Sequence, residues 1–401
     1  MRGKLRQLSG RVAAMEESQT MAFTARALQL REEGVDVITM TAGEPDFPTA
    51  DHVKAAAKEA LDANFTHYTA VQGHPEILQA VVEKFRTVNG LLFNQQQVMV
   101  TTGAKQALTN ALLAICEDGD EVVIPSPCWV SYPSLVRLSG GIPVSVPSPL
   151  ASGFRPNLSG MRKAITRKTK AIVLNSPNNP TGVVYTREEL EGIVALAVEH
   201  QLYIISDEIY EEMLFDGRKH TSIGILPGAE DRTITVNGFS KTYAMTGWRI
   251  GYMGGPEEVI HTAMKIQGQM TSSVNSISQK AGVAALRGTQ APVHKMVKEF
   301  QRRRDIAWDG LRPIRGLDLF KPEGAMFFFI GVSSLFGRIG SFGRLDNSTD
   351  VVEYLLDSQH VVLVPGSAFG DDACMRMSFA CSKEDLREGI RRIRLGIEAL
   401  R

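Results

Sequence analysis

Three things are scarce in this chain of 401 residues: long apolar runs, cysteine, and any surplus of one charge. The basic start, Met1-Arg2-Gly3-Lys4-Leu5-Arg6, is not followed by a long hydrophobic stretch. Neither a signal peptide nor a membrane-spanning helix is therefore expected. The only cysteines are Cys116, Cys128, Cys374 and Cys381. No two have Cys-x-x-Cys spacing and none sits beside clustered histidines, which argues against a zinc site, and no metal is assigned. So little cysteine in a large domain fits a reducing compartment, and a cytoplasmic protein is expected. Basic and acidic residues balance at 44 each. That excludes a broad cationic field for nucleic acid or an anionic membrane. The local clusters Arg302-Arg303-Arg304 and Arg391-Arg392 are expected on solvated helix faces.

What is present is an alternation of strand and helix patterns, long enough for more than one core, which implies an α/β architecture. One stretch dominates it: Asn237-Gly238-Phe239-Ser240-Lys241-Thr242-Tyr243-Ala244-Met245-Thr246-Gly247-Trp248-Arg249-Ile250-Gly251. It joins an apolar strand expected over 233–236 to another expected over 248–253. Two cations between apolar strands are costly unless something anionic meets them. A lysine crowded by a second cation and by low-polarity walls becomes a usable amine nucleophile. Ser240 and Arg249 suit a phosphate, as a hydroxyl donor and a planar fork. A phosphate plus an activated lysine suggests pyridoxal 5'-phosphate.

The stretch resembles the lysine motif of class I, fold type I aminotransferases, with serine just before the lysine and arginine eight positions after it. The resemblance implies that Lys241 holds the cofactor covalently and that Ser240 and Arg249 hold its phosphate. Other segments fall in the family's order. Thr41-Ala42-Gly43-Glu44-Pro45-Asp46-Phe47 resembles a segment lying over the substrate, where Gly43 would offer its N–H to the substrate carboxylate. By itself it reads as a Pro/Asp turn. Tyr68 resembles a tyrosine that reaches the cofactor phosphate of the partner subunit; alone, it is a half-buried loop aromatic. A strand over 97–101 turns at Gly103-Ala104-Lys105 into a helix, whose first N–H groups form an anion site. Lys105 opposes the macrodipole there unless an anion is near; otherwise it snorkels into solvent.

A strand over 121–125 leads to Trp129, placed to stack on a pyridine ring or else to fill a core. The strand over 170–174 ends in Asn175-Ser176-Pro177-Asn178-Asn179-Pro180-Thr181-Gly182, where the resemblance puts Asn179 on the ring 3'-oxygen. After the strand 202–206, Asp207 needs a partner; the protonated ring nitrogen would serve, and a helix N-cap is the plainer alternative. Asp207 precedes Lys241 by 34 positions, as in the family, and Tyr210 matches the phenol on the 3'-oxygen. Near the end, Met375-Arg376-Met377-Ser378-Phe379 alternates as a strand. Arg376 fits the arginine that forks onto the α-carboxylate, against an arginine on a wet sheet face.

The resemblance implies the aspartate aminotransferase fold: a large domain with a mostly parallel seven-stranded sheet over 46–294, and a small α/β domain from 1–45 and 295–401. It also implies a homodimer with shared active sites. The reaction implied is ping-pong transamination, with Lys241 moving a proton from the substrate α-carbon and Asp207 keeping the ring nitrogen protonated. Thr20, within Ser18-Gln19-Thr20, and Lys105 match a bacterial aspartate aminotransferase branch in which they hold the distal carboxylate. The substrates implied are aspartate, glutamate, 2-oxoglutarate and oxaloacetate. Dual activity on aspartate and prephenate is the alternative, and a carbon–sulfur lyase of the same fold the third. A cofactor-binding regulator would need a DNA-binding domain, for which the enzyme-like pattern leaves no room.

Overall fold

The computed structural model describes residues 19–341 and 343–401. Helix Gln19–Glu32 leads, through Gly34 in the left-handed region (φ +85°), to β1 (Ile38–Thr39). The principal sheet then takes β2 (Val98–Thr101), β3 (Glu121–Ser126), β4 (Ile142–Pro147), β5 (Thr169–Asn175), β6 (Tyr203–Asp207), β7 (Thr233–Gly238) and β8 (Gly251–Gly254). Their spatial order is β2-β8-β7-β6-β5-β3-β4. From β4 across to β7 every pairing is parallel, and β8 runs antiparallel to both neighbours. β2 and the strands β5 to β8 are almost wholly buried, the pattern of a sheet covered by helices on both faces. Parallel register puts Asn175 opposite Asp207, and Asp207 opposite Val236. The carboxyl ends of these strands therefore make one rim, where open α/β sheets collect ligands.

A second assembly uses both ends of the chain. It contains β9 (Phe327–Gly331), β10 (Ile339–Gly340), β11 (Gly343–Arg344), β12 (Val361–Val362), β13 (Val364–Pro365) and β14 (Cys374–Ser378). β13, β14 and β9 form an antiparallel sheet, and β12 pairs in parallel with the distant β1, Ile38 opposite Val361. The strand expected over 361–364 thus splits at Leu363, because the chain changes partner there from β1 to β14. The strand expected over 35–40 shortens to β1, whose two residues pair in register with Val361 and Val362.

Two further expectations are corrected. Residues 248–250 are not strand: Thr246–Trp248 form a 3₁₀ turn, Arg249 is left-handed (φ +51°), and β8 starts at Gly251. Of the Arg302-Arg303-Arg304 cluster only Arg302 lies on a solvated face, its side chain 70% exposed. Arg304 is 0% exposed, and its guanidinium donates twice to Asp216 at 2.7 Å while stacking on Phe215. Arg303 is also buried and donates to Asp46 at 2.6 Å. Carboxylates from other segments meet these arginines, and a charge pattern along one helix cannot show them. Strand β4 and the helices Pro75–Lys84, Ser131–Leu138 and Leu158–Ala164 are additions to the elements read from sequence.

Phe379 lies where several core rings meet, within 6.2 Å of Phe215, Phe300 and Phe328. Phe379→Ala should lower unfolding free energy by about 3–5 kcal/mol, measured by denaturant titration. A loss below about 1 kcal/mol would mean that the site collapses around the smaller side chain.

Candidate active site

A cavity of about 690 Å³ opens on the rim of the principal sheet. Asp207, the last residue of β6, forms part of its floor and is 3% exposed. Tyr132 Oη donates to its Oδ2 at 2.8 Å, and the Ile209 N–H to its Oδ1 at 3.2 Å. Asn175 ties two sides together: its Nδ2 donates to the Asp207 carbonyl at 2.9 Å, and its Oδ1 accepts from the Asn179 N–H at 2.8 Å. Burial pushes the Asp207 carboxyl up to about 6, against the pull of the two donors. A carboxylate so placed is stabilised by any cation that reaches it.

Lys241 follows β7, and its Nζ donates to the Gly43 carbonyl. The amine faces the cavity rather than open solvent. Burial, reinforced by Arg249 and Arg376, brings it down to about 8 against the opposing charges of Glu44 and Asp207. Arg249 is exposed toward the cavity. Two cations enclosed between strands, the arrangement expected from sequence, are therefore not what the fold builds.

At one end of the cavity, the helix Gly103–Ile115 begins with no side chain capping its N–H groups. Gly103 is left-handed (φ +78°), and a Cβ there would lie 2.6 Å from Arg249 Nη2. A Cβ at Gly251 would meet Ala104 N at 2.6 Å. Glycine at both positions lets the helix start, the guanidinium and the buried Ser240 converge on the cavity, an arrangement of donors that could hold an anion. Across the cavity Arg376, from β14, is 3% exposed. It donates to Asn179 Oδ1 at 3.1 Å and to the Thr41 carbonyl at 2.9 Å, and stacks on Phe327 and Phe369. Burial lowers it to about 10, and among the described residues its Nε is buried without a partner. An unpaired buried donor costs about 1–3 kcal/mol, which an anionic ligand would recover. Lys105 is exposed overall, but its ammonium is partly enclosed at the cavity wall, 5.0 Å from the Trp129 ring centre, and that partial desolvation, followed by Arg249, lowers its pKa.

Residues 35–393 match the family model for aminotransferase class I and II. The chain belongs to the class I and II aminotransferases. It is 43% identical over 399 residues to a bifunctional aspartate aminotransferase and glutamate/aspartate-prephenate aminotransferase from Petunia hybrida, covering 98% of this chain and 83% of that protein. It is 44% identical to an aspartate/prephenate aminotransferase from Thermus thermophilus, covering 97% of this chain and 98% of that one. The crystal structure of the aspartate aminotransferase from Rhizobium meliloti superposes with a TM-score of 0.96 at 42% identity, covering 99% of this chain and all of that one. The fold is accordingly the fold type I architecture.

In this aminotransferase Gly43, Ala104, Lys105, Trp129, Asn179, Asp207, Tyr210, Ser240, Lys241, Arg249 and Arg376 all line one cavity. Gly103 lies behind it, against Arg249. Tyr68 does not join them; it is 92% exposed on this chain. Ser18 and the side chain of Thr20 lie outside the described residues. Sequence reasoning missed Tyr132, whose hydroxyl meets Asp207. Its only signal was its place three residues after Trp129, and nothing local distinguishes it from a packing aromatic. Asn175 was visible in its motif but not its double role.

The depressed amine gives a direct check. In cofactor-free protein, an amine-acylating reagent should modify Lys241 with a midpoint near pH 8, because the neutral amine reacts; an ordinary lysine would give 10.5. Mass spectrometry of the Lys241 peptide across pH reads the midpoint, and a value near 10.5 would contradict the burial argument.

Proposed function

We propose that this aminotransferase uses pyridoxal 5'-phosphate to move the amino group of aspartate to 2-oxoglutarate in two half-reactions. The observation that carries the reading is the pairing, in one cavity, of a carboxylate raised by burial at Asp207 with an amine lowered by burial at Lys241. The residues fit the cofactor. The uncapped helix start at Gly103, Ala104 and Lys105, with Ser240 and Arg249, would hold its phosphate. Trp129 would stack on its ring, and Asn179 and Tyr210 would meet the 3'-oxygen. When bound, the cofactor supplies an electron sink for the pair left by the substrate's α-C–H bond.

The protein's own part follows from charge. Asp207 keeps a proton on the ring nitrogen, because a buried carboxylate with two neutral donors is best stabilised by a cation. Lys241 would hold the cofactor at rest, and its Nζ, when free, would take the substrate α-proton as general base and return a proton as general acid. Arg376 forks onto the α-carboxylate, with its unpartnered Nε among the donors, and the Gly43 N–H adds to it. Thr20 and Lys105 hold the distal carboxylate. Prephenate as a second acceptor is the alternative reading, supported by the relatives from Petunia hybrida and Thermus thermophilus that are named for it.

We also infer a large domain over 46–294 and a small one from 1–45 and 295–401, supported by the pairing of β1 with β12. A homodimer is supported by Tyr68, which is exposed here and would complete the phosphate site of the partner. A cytoplasmic setting is supported by four free cysteines whose thiols burial raises above their ordinary range. Among the described residues, no helix is long and apolar enough to cross a membrane.

Borohydride reduction of the cofactor-loaded protein, followed by peptide mapping, should leave a pyridoxyl label on Lys241, and Lys241→Ala should abolish turnover. A label on another lysine removes the assignment. Comparing kcat/KM for 2-oxoglutarate and prephenate separates the two substrate readings: negligible prephenate turnover eliminates the second.

A further inference from the structure

A second group of ionisable residues sits immediately behind Asp207, and none of it lines the cavity. Glu208 is 1% exposed and accepts four hydrogen bonds. Ser206 and Ser222 donate to its Oε1 at 2.9 and 2.8 Å, and Asn89 donates to its Oε2 at 3.3 Å. His220 Nε2 lies 2.9 Å from that same Oε2. Glu211, 4% exposed, takes the Lys84 ammonium and Asn89 Nδ2. Glu212 lies alongside, half-buried, its carboxyl pushed up by burial and by Glu211. Oxygens and nitrogens of Glu208, Glu211 and His220 lie within 4.8 Å of one another, but the Lys84 ammonium already occupies Glu211. The cluster is thus closed by protons rather than by a metal.

Its charge is what remains to be settled. Glu208 and Glu211 face one ammonium, so with His220 they carry one uncompensated negative charge if His220 is neutral and none if it is an imidazolium, while burial and Glu211 favour the neutral form of the adjacent Glu212. A buried unpaired charge is costly. Burial works against the imidazolium, yet Glu208, through charge and hydrogen bond, and then Glu211 outweigh it, while Lys84 opposes. Glu208 in turn pushes the neighbouring Asp207 carboxyl upward. We propose that His220 is a positioning residue for amino transfer: as an imidazolium it neutralises Glu208 and so keeps Asp207 ionised for the ring nitrogen it would partner. This rests on the function proposed above, because it needs the ring nitrogen to be the partner of Asp207.

The test uses His220→Gln, which keeps an N–H donor but carries no charge, and His220→Ala, which keeps neither. Each variant, loaded with pyridoxal 5'-phosphate, is titrated with pH while the visible absorption of the bound cofactor is followed. Removing a positive charge stabilises every protonated form nearby, so both variants should move the midpoint upward by roughly half a pH unit or more. Histidine NMR of the wild-type holoenzyme should show one imidazolium that holds its proton above the ordinary histidine range, and that signal should be missing from His220→Gln. A merely structural hydrogen bond would leave the His220→Gln midpoint at the wild-type value. That result, or a wild type in which none of the eight histidines holds its proton above the ordinary histidine range, overturns the proposal. A wild type without a visible band removes the cofactor reading instead, while NMR still decides the charge of His220.

Discussion

A carboxylate buried at the end of a parallel strand is the constraint on which the rest of the site depends. Asp207 ends β6 beside Asn175 of β5 and Val236 of β7, so its position is held by the register of three strands. Tyr132 and the Ile209 N–H use part of its hydrogen-bonding capacity, and its burial makes a cation the natural occupant of the rest. The same burial acts on Lys241 with the opposite sign. Removing water disfavours charge on both groups, raising the acid and lowering the amine, so that each is drawn toward neutral pH.

Around this pair the two assemblies of the fold contribute different kinds of recognition. The principal sheet supplies the donors of the proposed anion cradle: the start of the helix Gly103–Ile115, Ser240 and the left-handed Arg249. It depends on Gly103, whose left-handed backbone faces the Arg249 guanidinium, and on Gly251, where the backbone of Gly103 and Ala104 comes too close for a side chain. The second assembly supplies Arg376, carried by β14 between β13 and β9. That arginine reaches back to Asn179 and Thr41, and its aromatic neighbours Phe327 and Phe369 hold its plane. A molecule anionic at two separated points would be gripped by both.

Much of this was legible because the informative residues are clustered in short segments. Ser240, Lys241 and Arg249 lie in one stretch, and Asp207 and Tyr210 in another, each directly after an apolar strand. The errors have a common cause. The segment 248–250 is apolar enough to look like strand, but Arg249 must turn into the left-handed region to meet the start of the Gly103–Ile115 helix. Arg304 looks solvated because its partner Asp216 lies 88 residues away. Tyr132 looks like core until Asp207 is placed opposite its hydroxyl, 75 residues on.

Residue order alone therefore determined the alternating α/β pattern, the polar turns that end the strands, and which side chains could serve a phosphate, a carboxylate or a reactive amine. These follow from local periodicity and from chemistry carried within a few residues. Tertiary structure alone decided that Arg376 faces Asn179, that Arg304 is buried, that Tyr132 serves Asp207, and that a second charged cluster backs the first. Each is a contact between distant segments, and its energy comes from water excluded on folding, which no local stretch can report.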